Sequence, residues 1–437
     1  MRIFYSTLAF LVFVSIMSCD FLSSSEKLKE YSLSVTVEGE GQVNVDPVQE
    51  LYTEGQSVTL NAVAVEAWRF DEWQGDESGR ESIYTFTMDD NKTIAAKFVV
   101  LEDAIWAMGY NHNGQLGDGT QTDQYEPAWS IYDVDFVTAG SWHSLFIRKD
   151  RSLWGMGFNQ FGHLGDGTTI DRHKPVHIAS NIKDVAGGEI HSIYVTENGV
   201  LYTMGDNSMG QLGVGTSTYR SNPTQIDTDV KSVAIGEWHS MYIKNDGTLW
   251  GMGRNLENQL SSDSIEMHAI PVQIDSDVVQ VAAGMRHTLY IKTDGTLWAM
   301  GGNAGGQLGD GTFTSRSEAF QVASDVTFVT AGRDHSLFIS SDGTLRGMGN
   351  NIDGQLGDGS TMSKPIPIVI DTDVIRAAGG VRHTLFVKGD GTLWSMGLND
   401  NGQLGDGTTT QRLNPVLIDS EVLKIGAGIH HSLYIKK

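Results

Sequence analysis

The chain has 437 residues, enough for two or three domains or for one large repeat array. Glycine supplies 51 of them and proline only 8, which excludes collagen, with its glycine at every third place, and argues against a proline-rich linker. Asp and Glu number 54 against 30 Lys and Arg, and the net charge of −24 repels phosphate backbones, so no nucleic-acid partner is expected.

The chain opens with one basic residue, Arg2, and an apolar run over residues 3–17. That run is shorter than the about 20 residues that cross a bilayer. It ends Ile16-Met17-Ser18-Cys19, with a small residue directly before the only cysteine. This resembles the bacterial lipoprotein signal peptide, in which a leader is removed and the cysteine becomes the acylated first residue. The resemblance implies a leader over 1–18, a palmitate-type acyl anchor on Cys19, and a lipid-anchored, extracytoplasmic place in the bacterial cell envelope. Acyl chains bury CH₂ groups at about 0.8 kcal/mol each, and two such chains anchor stably. An ordinary secretory leader with a chance cysteine is the plainer alternative. Residues 19–30 are polar and serine-rich and read as a tether. With Cys19 acylated no thiol remains for a disulfide or a metal.

Residues 31–100 alternate apolar and polar positions between turn residues, the pattern of a small β domain. Leu33, Val35 and Val37 mark a first strand, Gly39 and Gly41 turn the chain, and Val43 and Val45 begin what reads as its partner. Later strands carry Val58, Leu60 and Ala62, then Tyr84 and Phe86, then Ile94, Ala96 and Phe98. Trp68, Phe70 and Trp73 are expected to supply much of the buried area. The Gly-x-Gly-x-Val opening, Tyr52-x-x-Gly55-x-x-Val58-x-Leu60, Phe70-x-x-Trp73 and the close from Met88 to Phe98 resemble the divergent internalin B-type bacterial repeat. That resemblance implies a spacer or adhesion role; the alternative use of the aromatic trio is as a sugar platform.

From residue 101 to 437 the chain repeats itself. Met-Gly-x-Asn begins at Met108, Met156, Met204, Met252, Met300, Met348 and Met396, each step 48 residues. A histidine followed by Ser or Thr recurs at the same interval, at His143, His191, His239, His287, His335, His383 and His431. Such a period signals a propeller or a solenoid. Each repeat holds short strands, and one pair is joined by a hairpin turn such as Asn245-Asp246-Gly247-Thr248. No window carries a major helix. Small residues precede each His marker (Thr138-Ala139-Gly140, Ala282-Ala283-Gly284), as crowding round an axis demands. The first strand, Ile105 to Met108, and the last, His431 to Lys436, are the two halves of one hairpin cut at its turn. Pairing them closes a ring and removes two open edges. The fold class is therefore all-β, a seven-bladed β-propeller with a small N-terminal β domain. The series Gly-x-Asn-x-x-Gly-Gln-Leu-Gly-Asp-Gly-Thr, then Pro, then Ala-Gly-x-x-His-Ser/Thr resembles the regulator of chromosome condensation family, whose seven repeats form such a propeller. The third repeat departs at Val214, and the fourth at Ser261-Ser262-Asp263-Ser264.

A catalytic group is normally unique, whereas these seven histidines recur in every blade. They read as structural, each hydrogen-bonded within its blade, and no metal or cofactor is expected. The repeated asparagines, Asn111 to Asn399, read as loop braces. The chain lacks a phosphate loop, His-Glu-x-x-His and Gly-x-Ser-x-Gly, so no enzymatic activity is expected. What does change from repeat to repeat is the pair of residues between Gly and His. From these pairs come the candidate binding-face residues Trp142, Glu189, Trp238, Arg286, Arg333, Arg382 and His430; Trp and Arg are enriched in binding hot spots. The leading functional expectation is protein recognition by a monomeric surface lipoprotein, its partner an extracellular or envelope protein, with the membrane met through the anchor alone. The alternative is a carbohydrate-binding or adhesion module. A remote one, implied by the family's founding member, is a guanine-nucleotide exchange factor-like regulator.

Overall fold

The computed structural model describes residues 28–65, 68–100, 103–263 and 265–437; the leader and the Cys19 lipidation site lie outside them. Among the described residues every regular element is a strand. The chain divides into two units, Met1–Val100 and Leu101–Lys437.

In the first unit two three-stranded sheets share one core. Leu33–Glu38 runs parallel to Lys92–Val100, which pairs on its other side with Trp68–Gly75; the second sheet is Gly41–Asp46, Ser57–Ala64 and Ile83–Thr87. The expected hairpin between the strands of Leu33 and Val43 is therefore not formed. The turn at Gly39 (φ 86°) carries the chain from one sheet to the other, so that Val35 and Val43 reach the core from opposite layers. That core holds Val58, Leu60, Phe86, Met88, Ile94, Phe98 and Trp73, with Trp68 and Phe70 partly buried against it. Trp73 is 1% exposed and its indole N–H donates to the Glu81 carbonyl at 2.9 Å. An indole so placed offers no sugar platform.

In the second unit seven four-stranded antiparallel sheets follow one another. The third is representative: an inner strand Val230–Ile235, a second His239–Lys244, a third Leu249–Arg254 and an outer Met267–Asp275. Second strands such as His-Ser-Leu-Phe-Ile are buried on both faces. That is why they read as continuous apolar runs and not as an alternation. Outer strands are the exposed edges, and Pro175, Pro223, Pro271 and Pro415 lie within them. A residue without an N–H blunts edge pairing. The ring closes as the termini implied. His431–Lys436 pairs with Ala104–Gly109, Ser432 opposite Met108 and Tyr434 opposite Trp106, so the last sheet takes two strands from each end of the array. Ile105 and Leu433 then share a core cluster, as do Met108 and Tyr434.

The departing repeats keep the frame. In the third, Val214 leaves Arg220 without the carboxylate that Arg172 and Arg412 find in Asp166 and Asp406, and its guanidinium turns to the carbonyls of Thr218 and Tyr219. In the fourth, Asn255 still accepts the Leu260 N–H at 2.9 Å and re-aims its amide at Ser261 and Ile265.

Candidate functional site

The antiparallel order gives the propeller two ends. At one, here the upper, the inner strands finish in Gly-x-x-His and the long signature loops begin; at the lower end lie the Asp-Gly hairpins. The glycine before each variable pair is required by a close approach. A side chain on Gly236 would strike the His239 imidazole and the Gly284 carbonyl, and one on Gly284 would strike His287 and lie 2.7 Å from the Gly332 carbonyl.

Beneath this end the histidines form a closed circuit. His143 Nε2 lies 2.8 Å from Ser192 Oγ, His191 3.1 Å from Ser240, His239 3.3 Å from Thr288 Oγ1 and His287 2.9 Å from Ser336. His335 lies 3.1 Å from Thr384, His383 2.9 Å from Ser432, and His431 3.0 Å from Ser144, back in the first blade. Each bond thus joins one blade to the next, which corrects the expectation of a partner within the same blade. The hydroxyls of Ser144, Ser240, Thr288, Ser336, Thr384 and Ser432 each donate their single hydrogen to a glutamine carbonyl of the loop at 2.8 Å. They can therefore only accept from the imidazole, which fixes the neutral Nε2–H tautomer. Burial lowers His191, His239, His287, His383 and His431 to about 3, so they stay neutral.

Above that circuit one backbone carries different side chains in every blade. The N–H of the residue after Met-Gly bonds the carbonyl of the residue before His throughout: Tyr110 to His430 at 2.8 Å, Phe158 to Trp142 at 3.0 Å, Arg254 to Trp238 at 2.9 Å, Leu398 to Arg382 at 2.9 Å. The resulting face has two sectors. At the ring closure Trp142 and His430 meet with centroids 5.8 Å apart, and Tyr110 contacts both, at 5.9 and 6.3 Å. The other sector is charged. Arg333 Nε lies 3.2 Å from Glu237 Oε1, and from Asp334 the separation is 3.7 Å. Arg286 faces Glu257 at 3.6 Å, a carboxylate already held by Arg254 at 2.9 Å, and Arg382 faces Asp353 at 3.6 Å. Among the described residues Glu189 makes no close ion pair, although the charge of Arg333 acts on it, and its Oε2 is buried with no hydrogen-bond partner. Among the described residues no ring contact joins Trp238 to Trp142.

The inner strands enclose an axial cavity of about 400 Å³, with Ser141, Glu189, Glu237, Met285 and Arg333 at its upper mouth. Burial pushes Glu237 up to about 7 against the opposing pull of Arg333, and raises Glu189 in the same way. Deeper in, half-buried Asp184 is pushed up to about 6 by desolvation, although it accepts the Val233 N–H of the next blade at 3.0 Å.

Of the predicted face residues, the structure brings Trp142 to His430 and sets Glu189 and Arg333 round one mouth, where Glu237, outside the predicted set, joins them; the charges of Arg286 and Arg382 both act on Asp334, and that of Arg382 also on His430. Tyr110, Phe158, Arg254 and Glu257 were missed. For the first three the signal was the variable position of Met-Gly-x-Asn, which differs in all seven repeats; Glu257 lies two residues beyond its asparagine. Among the described residues no three His, Cys, Asp or Glu gather as a metal set. In the fourth repeat His268 Nε2 faces both Ser261 Oγ at 3.0 Å and Asp263 Oδ2 at 3.3 Å. A relay needs the carboxylate on the other ring nitrogen, so this trio is not arranged for nucleophilic catalysis.

The comparisons agree with this geometry. A profile of the RCC1-like domain matches residues 220–434, and profiles of the regulator of chromosome condensation (RCC1) repeat match 150–195, 134–162 and 182–211. The propeller is of the RCC1 repeat family. Ahead of it, the divergent InlB B-repeat domain matches residues 31–101. Human WBSCR16 is similar to the RCC1-type propeller over 77% of this chain and 99% of its own, at 22% identity and a TM-score of 0.70. Prp20p from Saccharomyces cerevisiae is similar over 77% and 92%, at 19% identity and a TM-score of 0.69. At these identities the likeness is one of fold. No curated protein matches the chain significantly.

Proposed function

We propose that this chain is a bacterial surface lipoprotein, held by an acylated Cys19, whose RCC1-type propeller recognises another protein through its upper face and catalyses nothing. The observation that carries this reading is the invariant backbone of that face, on which every blade sets different side chains. A uniform scaffold with varied loop tips is how propellers and solenoids build binding surfaces. Prp20p has binding properties towards Gsp1p and histones, and the same yeast protein has been seen bound to Kap60, which supports a protein as the class of partner.

The test is crosslinking on intact cells followed by mass spectrometry, with the full chain compared against Trp142→Ala and Arg333→Ala. One protein should crosslink to upper-face loops and fall by about tenfold in either variant, as for a hot-spot residue. Crosslinks mapping to the lower hairpins, or unaffected by both substitutions, would overturn the reading. Loss of glycan-array binding in Trp142→Ala, with no protein captured, would favour the carbohydrate alternative. Cys19→Ser should move the chain out of the detergent phase, and unchanged partition would remove the anchor.

A further inference from the structure

At the lower end one blade breaks the repeated pattern in four places at once. In four other blades a lysine closing the second strand is held between a carboxylate of the preceding blade and an indole of its own. Lys244, Lys292, Lys388 and Lys436 lie 2.6 to 2.9 Å from Asp227, Asp275, Asp371 and Asp419. The same ammonium groups lie 5.2 to 5.9 Å from the rings of Trp250, Trp298, Trp394 and Trp106. Three of these carboxylates also accept a tyrosine hydroxyl, at 2.6 to 2.7 Å. The residues 48 places on from Asp275, Tyr290, Lys292 and Trp298 are Ala323, Phe338, Ser340 and Arg346. Carboxylate, hydroxyl, ammonium and indole are gone together, and one guanidinium stands in their place. Two further blades also lack the aspartate, but they fill the space: Arg148 lies over Trp154 at 4.7 Å, and Tyr194 stacks on Tyr202 at 5.1 Å. Beside Arg346 the space stays open, as a pocket of about 440 Å³, a volume within the range of small-ligand sites.

Val322, Ala323, Phe338 and Pro367 give this pocket an apolar wall. Arg346 lines it half-buried, its Nη1 donating to Ser340 Oγ at 2.5 Å, and among the described residues no carboxylate forms an ion pair with it. A guanidinium presents five N–H donors in a planar fork that matches a carboxylate. We propose that the pocket binds a small carboxylate with a flat apolar body, its carboxylate on Arg346 and its ring against the apolar wall. The repeats show the chemistry. In four blades the cation at this level meets a carboxylate and an aromatic ring from the chain, and here a ligand supplies both. The rim sets the charge. Asp325 and Asp342 flank the opening, so a dianion such as phosphate is repelled twice as strongly as a singly charged carboxylate. This site lies at the opposite end from the recognition face and does not depend on it.

The test titrates the full chain with benzoate and follows the ligand by saturation-transfer NMR. Benzamide keeps the ring and removes the charge, and acetate keeps the charge and removes the ring. Each should bind about tenfold more weakly than benzoate, and inorganic phosphate no better than acetate. Arg346→Gln should weaken benzoate about tenfold, whereas Arg382→Gln, an equal charge change on the upper face, should leave it unaltered. Arg346→Trp installs the residue that five other blades carry at this place, so the fold tolerates it, and it should fill the pocket and abolish binding. No benzoate binding to the parent chain, or equal binding of benzoate and benzamide, would overturn the proposal. So would phosphate binding tighter than benzoate, equal losses in Arg346→Gln and Arg382→Gln, or benzoate retained in Arg346→Trp.

Discussion

The upper and lower ends of the propeller are built from the same 48-residue repeat and use it in opposite ways. At the lower end most blades repeat the same residues at the same places, with Tyr202 and Arg346 standing where the other five carry Trp. Asp246 accepts the Thr248 N–H and hydroxyl, and the Trp250 indole donates to that hydroxyl at 2.9 Å; Asp294-Thr296-Trp298 and Asp390-Thr392-Trp394 repeat the arrangement. Lys244, Lys292 and Lys388 lie over those indoles at 5.2 to 5.9 Å. At the upper end Trp142 and Trp238 occur once each, with different neighbours. A tryptophan at a repeated position belongs to the scaffold, and one at a unique position is free for recognition. The ends also differ in what holds them: backbone turns below, a circuit of imidazole–hydroxyl bonds above.

The most severe way to break this comparison is to remove what both ends share. Deleting residues 430–437 takes away the strand that pairs with Ala104–Gly109, exposes that strand's edge and cuts the histidine circuit at His431. The melting temperature is expected to fall by more than about 10 °C, with loss of a single cooperative transition. Calorimetry showing the parent transition would refute closure by paired termini.

Acid should distinguish the ends next. The circuit histidines have folded-state values lowered to about 3, or about 4 for His335, from 6.5. With a depressed value the unfolded chain binds more protons, so the stability is complete above 6.5 and is lost as pH falls from 6.5 towards 3. Each imbalance is worth about 1.4 kcal/mol per pH unit. Glu237 and Asp184, raised to about 7 and about 6, and Glu189, Asp334 and Asp353, also raised by burial, act with the opposite sign as pH falls, but seven imidazoles outweigh these five carboxyls. Hydrogen exchange below pH 6.5 should quicken first at the upper amides of Gly140 and Gly188, before the lower hairpins. Uniform loss of protection, or stability unchanged down to pH 4, would count against the circuit.

The repeat length, the closure and the small residues at the axis were legible because each is a property of the sequence at a fixed interval. The partners of the histidines were not. His143 and Ser192 are 49 residues apart, and only the ring geometry says that the hydroxyl lies in the next blade and not below. Likewise nothing in the chain couples Arg333 to Glu237, two blades away, until both reach one axial mouth. Tyr110 was missed for another reason: attention to the pair before His left unread the equally variable place after Met-Gly. In the N-terminal domain, neighbouring strands were assigned to one hairpin because a Gly-rich turn of this length fits a hairpin and a change of sheet equally well.

The smallest effect tests the lower end on its own terms. The residue before each inner strand is left-handed throughout, with φ of 60° at Asp133, 60° at Asn181, 61° at Asp229, 60° at Asp277, 57° at Asp325, 61° at Asp373 and 62° at Glu421. Asp and Asn tolerate this region because a short polar side chain bonds the local backbone; a longer side chain gains nothing there. Six blades obey that rule and the last does not. Its Lys437 N–H to Glu421 carbonyl bond is also long, 3.3 Å against 2.8 Å for Asn245 to Asp229. Glu421→Asn should therefore raise stability by about 0.5 kcal/mol, read from the denaturation midpoint at unchanged slope. Asp229→Glu should lower it by a similar amount, and upper-face binding should be the same in both. If the pair moved together, or if Glu421→Asn altered recognition, the lower end would not be the passive scaffold that its uniformity implies.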